Sequence, residues 1–161
     1  MINTIIVDDE SRARKNLSLL LEQQPDIQIV AEAANGDEAI KVISDLHPDL
    51  VFLDIKMPQQ SGFDVLDKLL RMRINDFEVV FLTAFDAYAI KAIKYATFDY
   101  LLKPIDEQEL IETLIKFRAK DRQKNTQNAE QLFKQLDIHR KLKIKSQTGY
   151  EFLDVDDILF I

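Results

Sequence analysis

The 161-residue chain contains no cysteine, which excludes disulfides and any thiolate-ligated metal or iron–sulfur site. Its two histidines, His47 and His139, stand apart and form no metal-binding pattern. No apolar run approaches the ~20 residues needed to cross a bilayer. The opening Met1-Ile2-Asn3-Thr4 lacks the basic segment and apolar stretch of a secretory signal, so a cytoplasmic protein with no membrane partner is expected. Internal repeats and low-complexity tracts are also missing. What is present is an ordinary globular mixture, 47% hydrophobic and 30% charged. The length suffices for one well-buried domain and a small additional piece.

Charge is unevenly spread behind a net value of −7. Residues 1–115 carry 11 basic side chains against 21 acidic ones, a poor electrostatic match to a phosphate backbone. Residues 116–145 reverse this, with 10 basic against three acidic. A solvated helical face explains that segment more simply than nucleic-acid contact.

Two textures alternate through the first 115 residues. Short apolar runs occur at Ile2–Val7, Ile27–Ala33, Leu50–Leu53, Val79–Leu82 and Phe98–Leu102. Between them, apolar residues recur at helical spacing. The sets are Ala13, Leu17, Leu20 and Leu21; Ala39, Ile40, Ile43 and Leu46; Phe63, Leu66, Leu69 and Leu70; Ala89, Ile90 and Ile93; and Leu110, Ile111, Leu114 and Ile115. Asn35-Gly36, Pro48 and Ser61-Gly62 punctuate the boundaries. Near-continuous apolar strands indicate burial on both faces. The pattern predicts an α/β domain with a parallel sheet. The arrangement expected for it is a doubly wound, five-stranded sheet of order 2-1-3-4-5, as in flavodoxin-like folds.

Past residue 118 the apolar stripe fades, and Arg118–Gln131 reads as an exposed helix or a linker. Leu142–Lys145, Phe152-Leu153 and Ile158–Ile161 then read as strands, with a turn at Thr148-Gly149. The expected division is a domain over 1–118, a helical linker over 119–140, and the opening of a β-rich domain over 141–161.

Four strand ends carry the chemistry. The first ends in Asp8-Asp9-Glu10, the third in Asp54, the fourth in Thr83-Ala84 and the fifth in Lys103-Pro104. In this strand order the first and third are neighbours at the topological switch point, where the ligand crevice forms. Asp8, Asp9 and Asp54 should therefore converge. Crowded carboxylates repel one another, and a hard divalent cation such as Mg²⁺ relieves this with oxygen ligands. Lys103 adds an ammonium suited to a phosphoryl oxygen. Asp54, the central carboxylate, is the candidate nucleophile for an aspartyl phosphate, and Thr83 could donate its hydroxyl to the added group. Singly, each residue has a plainer reading: Asp8, Asp9 or Thr83 as a helix cap, and Lys103 as a surface lysine. Together the plain readings must explain phosphate-site chemistry at four strand ends on one rim.

In order and spacing, these motifs resemble response-regulator receiver domains over about residues 1–118. The matching pieces are Ile5-Ile6-Val7-Asp8-Asp9-Glu10, Leu50–Pro58, Ser61-Gly62, Phe81-Leu82-Thr83-Ala84 and Asp99–Pro104. The resemblance implies that Asp54 takes phosphate from a sensor histidine kinase. It also implies that Asp9, Asp54 and the backbone carbonyl of Lys56 bind Mg²⁺, with Asp8 behind them, and that the Lys103–Pro104 peptide is cis. Thr83 and Tyr100 resemble the family's switch pair. That pair would act on the fourth helix, fifth strand and fifth helix, the implied homodimer face.

Ala84–Ala89 and Asp99–Pro104 further resemble receivers joined to LytTR-type DNA-binding domains, and 143–161 resembles the opening of such a domain. Transcription regulation would follow, with DNA contacted through a fuller C-terminal domain. Two alternatives are a Mg²⁺-dependent phosphohydrolase using an aspartyl phosphate, and a receiver that acts only through protein contacts. In phosphohydrolases of the haloacid-dehalogenase type, the nucleophile lies on the first strand in an Asp-x-Asp arrangement. The adjacent Asp8-Asp9 departs from that arrangement.

Overall fold

The computed structural model describes residues 1–84, 96–137, 141–146 and 149–154. Five strands, β1 (Ile2–Val7), β2 (Ile27–Ala33), β3 (Leu50–Asp54), β4 (Glu78–Thr83) and β5 (Asp99–Leu102), form one sheet. Its order is β2-β1-β3-β4-β5, and all neighbours are parallel. The helices are α1 (Ser11–Glu22), α2 (Gly36–Leu46), α3 (Gly62–Arg71) and α4 (Glu107–Asp137). The helical segment expected around Ala89–Ile93 lies outside the described residues. The sheet order is the expected flavodoxin-like one.

Side chains alternate across the sheet, so each strand feeds two layers. Ile5, Val7, Val51, Leu53, Val79 and Phe81 share one core with Ala39, Ile43, Phe63, Leu66 and Leu69 of α2 and α3. On the opposite face Ile6, Phe52, Val80 and Leu82 are equally buried. Each such side chain contributes about 2 kcal/mol of hydrophobic stabilisation. The central strands β1, β3 and β4 are therefore apolar on both faces through Ile5–Val7, Leu50–Leu53 and Val79–Leu82. Edge strand β2 is more open, with only Ile27 and Ala33 buried.

The helix ends follow their sequence signals. Asn35 caps α2 by accepting from Glu38 N, and His47 stops it in the left-handed conformation just before Pro48. Ser61 and Asp64 form a reciprocal capping box on α3. Three residues expected on buried faces lie outward: Leu46, Leu70 and Ile115 are 45%, 53% and 56% exposed. In α3 the buried stripe includes Val65 and centres on Leu66 and Leu69, which leaves Leu70 at its margin.

The chain divides into two compact units, Met1–Leu114 and Ile115–Ile161. Helix α4 continues unbroken through the polar stretch that sequence left as helix or linker. Beyond it, β6 (Lys141–Ser146) and β7 (Gly149–Asp154) pair antiparallel, Ser146 opposite Gly149. The strand expected at Ile158–Ile161 lies outside the described residues. Among the described residues no helix is long and apolar enough to cross a membrane.

Candidate functional site

Register sets the site. Val7 pairs with Leu53, so the next residues, Asp8 and Asp54, emerge side by side at the carboxyl edge of the sheet. Asp54 pairs with Leu82 and Thr83 with Leu102, and Lys103 N donates to Thr83 O at 2.7 Å. Four strands thus deliver Asp8, Asp54, Thr83 and Lys103 to one rim. One carboxylate oxygen from each of Asp8, Asp9 and Asp54 lies within 4.8 Å of the others.

The turn after β1 is tightly bonded. Asp8 N donates to Ala33 O at 3.1 Å, and Glu10 N donates to Asp8 Oδ1 at 2.9 Å. Glu10, not Asp8 or Asp9, occupies the N-cap of α1, without a side-chain cap bond. With Oδ1 engaged by its own turn, Asp8 presents Oδ2 to Lys103 Nζ at 2.5 Å. Apart from that ammonium, the buried Oδ2 has no hydrogen-bond partner among the described residues. Lys103 Nζ also lies 3.2 Å from Asp54 Oδ2. The Lys103–Pro104 peptide is cis.

The turn after β3 approaches Asp54 from the other side. Lys56 N donates to Asp54 Oδ1 at 3.3 Å, and Gly62 N donates to Ile55 O at 2.9 Å. Here glycine is a steric requirement: a Cβ on Gly62 would lie 2.5 Å from Asp54 O. Asp9, Glu10, Asp54, Lys56, Met57, Pro58, Ala84 and Lys103 line a cleft of about 450 Å³.

Electrostatics reflect the crowding. Burial pushes the Asp54 carboxyl up from 3.8 to about 6; Lys103 opposes that shift and Asp8 adds to it. Burial would lower the Lys103 ammonium, but Asp8 and Asp54 outweigh it and raise its pKa. Three carboxylates against one ammonium leave a buried excess of negative charge. The donors are all hard oxygens, and the cleft opens to solvent beside Asp9. These features fit a divalent cation of the Mg²⁺ kind.

The chain matches the response regulator receiver domain over residues 4–115. It belongs to the response regulator receiver family. It is 44% identical over its whole length to the transcriptional regulatory protein BtsR of Salmonella typhi. It is likewise 32% identical to the sensory transduction protein LytT of Bacillus cereus. The chain spans 65% of the length of each of these curated relatives. Among solved structures, the receiver domain of AraT, a response regulator from Geobacillus stearothermophilus, superposes with a TM-score of 0.70 at 30% identity. That match covers 77% of this chain and 98% of the AraT domain.

Of the residues singled out in the sequence, Asp8, Asp9, Asp54 and Lys103 come together, and Lys56 lines the same cleft. Thr83 is fully buried at the end of β4. Tyr100 is half-buried in β5, opposite Phe81, and packs against the core. Sequence reading missed Arg14, whose Nη1 donates to Asp8 O at 2.6 Å. Its signal was a basic residue one turn into the helix that follows the acidic turn.

Proposed function

We propose that this receiver is phosphorylated on Asp54 by a sensor histidine kinase in a Mg²⁺-dependent reaction. The observation that carries the reading is the meeting of three carboxylates with the Lys103 ammonium at one strand-end rim. Asp9, Asp54 and the Lys56 carbonyl would hold the cation, with Asp8 behind them; when bound, it neutralises charge on the phosphoryl oxygens. An Asp54 oxygen attacks phosphorus as the donor's P–N bond breaks. The bonding pair stays on the departing imidazole nitrogen, which takes a proton from water. Lys103 holds one phosphoryl oxygen and the Thr83 hydroxyl donates to another. Asp8 keeps the Lys103 ammonium in place. The product is a modified side chain, so the domain signals and does not turn over substrate.

A second hollow of about 390 Å³ adjoins the cleft, sharing Glu10, Ala84 and Lys103 and adding Asp8. It runs along α1 past Ala13, Leu17 and Leu20 to Pro104 and Ile105, an apolar flank suited to the kinase.

Movement of Thr83 toward the phosphoryl group would let the Tyr100 ring turn inward. Self-association would follow through the face bearing Tyr100, Ala89 and Ile93. The latter two lie outside the described residues. Output would be transcription regulation through a LytTR-type DNA-binding domain opening with β6 and β7. Support comes from the names of the two relatives, a transcriptional regulatory protein and a sensory transduction protein, and from the antiparallel pairing of these strands. On this reading the domains divide as 1–118, 119–140 and 141–161.

Mass spectrometry after incubation with Mg²⁺ and acetyl phosphate tests the core of this reading. One phosphoryl group on Asp54 is expected, lost on treatment with hydroxylamine. Equal labelling of Asp54→Asn would reject Asp54 as the acceptor. Sedimentation with and without a beryllofluoride mimic tests self-association. DNA binding by a chain extended to the relatives' length should vanish when everything after Gln135 is removed.

A further inference from the structure

We propose that Arg14 is a positioning residue for the acidic cleft: it fixes the Asp8–Asp9 peptide plane and thereby the aim of the Asp9 carboxylate. The inference rests on the receiver reading above, since it concerns how Asp9 meets a divalent cation.

The geometry is specific. Arg14 lies in the first turns of α1, and its side chain is 17% exposed. Nη1 donates to Asp8 O at 2.6 Å, while Nε pairs with Glu32 Oε2 on β2 at 3.3 Å. The guanidinium therefore spans from the neighbouring strand to a main-chain oxygen of the acidic turn. A planar peptide carries that constraint forward: holding the Asp8 carbonyl oxygen fixes Asp9 N and Cα as well. Asp8 is tied independently, through its amide to Ala33 O and through Oδ1 to Glu10 N. Asp9 is more open than Asp8 and Asp54, and among the described residues no hydrogen bond orients its side chain. Its direction thus depends on the backbone that precedes it. Arg14 touches that backbone and not the carboxylate, as an outer partner of a metal ligand does.

A rigid fork is needed here. Arginine reaches two acceptors at once in a fixed plane, whereas lysine offers a single point charge. Arg14→Lys can satisfy Asp8 O or Glu32, but not both with that geometry.

Two physical roles predict opposite signs. If Arg14 were only a nearby positive charge, removing it would tighten Mg²⁺ binding by relieving repulsion. If it positions Asp9, removing it loosens binding. The test is calorimetric titration of the whole chain with MgCl₂, for wild type, Arg14→Ala, Arg14→Lys and Glu32→Gln. Acetyl phosphate labelling of Asp54 is followed across the same Mg²⁺ range. We expect Mg²⁺ affinity to fall about tenfold or more in Arg14→Ala and by less in the other two. The labelling rate at saturating Mg²⁺ should stay within about twofold, so the loss sits in half-saturation and not in the maximal rate. Unchanged or tighter Mg²⁺ binding in all three variants overturns the inference, even if their thermal midpoints fall. Should Arg14→Ala not fold, Arg14→Lys and Glu32→Gln decide by the same criterion. A wild-type chain that neither binds Mg²⁺ nor is labelled at Asp54 defeats the receiver reading itself, an outcome distinct from normal wild-type behaviour with unaffected variants.

Discussion

The Lys103 ammonium lies 2.5 Å from Asp8 Oδ2, a carboxylate that is 1% exposed. Such a pair adds little when intact, because desolvation offsets attraction. Removing one partner strands the other's charge. Lys103→Met should therefore destabilise the metal-free protein by about 3 kcal/mol in urea titrations. Added Mg²⁺ should restore more stability to this variant than to wild type, since a cation replaces the missing charge. Equal Mg²⁺ stabilisation of the two proteins would contradict this account of the pocket.

Asp54 sets a pH dependence of definite sign. Its carboxyl is raised by burial from 3.8 to about 6, so the folded protein holds this proton more tightly than the unfolded chain. Raising pH through that window therefore withdraws stability. No penalty exists below it, and the full penalty, about 2–3 kcal/mol, applies above it. Without metal, Asp54→Asn should match wild type near about pH 4 and exceed it by roughly that amount near about pH 7.5. A gap of the same size at both pH values would show that Asp54 is not the titrating group.

Much of this was legible in the sequence because periodicity and strand-end chemistry are local signals. The apolar runs named all five strands of the sheet, and their alternation with helical stripes made it parallel; the order matches the flavodoxin-like one expected for such a domain. Asp8, Asp9, Asp54 and Lys103 could be placed on one rim because a parallel sheet collects its strand ends. Other features depend on tertiary contact. Whether Leu70 or Val65 faces the core is decided by how α3 is rotated on the sheet, which a stripe several residues wide leaves open. The contacts of Arg14 were hidden for a similar reason, beyond the weak hint of a basic residue early in α1: its partners are a main-chain oxygen and Glu32, 18 residues away.

Gly62 makes a backbone demand that a boundary signal conceals. A methyl group there would meet Asp54 O at 2.5 Å, Leu53 Cγ at 3.1 Å and Phe81 Cε1 at 3.2 Å. The first of these is backbone and cannot swing aside. Gly62→Ala should cost about 1–3 kcal/mol, the usual range for overpacking. It should also slow labelling of Asp54, because relief of the clash displaces the peptide that carries the acceptor. A variant that labels at the wild-type rate despite lower stability would show that Asp54 is insulated from α3.

Thr83 offers the cleanest separation of chemistry from folding. It is fully buried at the end of β4, and its main chain already receives Lys103 N at 2.7 Å. Thr83→Val keeps shape and volume nearly unchanged and removes only the hydroxyl. If that hydroxyl donates to the phosphoryl group in the transition state, labelling of Asp54 should slow by about 10- to 100-fold. The maximal rate should fall, and the Mg²⁺ half-saturation should not move, because Thr83 is not among the groups proposed to hold the cation. That is the reverse of the pattern expected for Arg14. Rapid-quench labelling over a range of Mg²⁺ concentrations distinguishes them. A Thr83→Val protein with a normal maximal rate would place the hydroxyl outside the reaction.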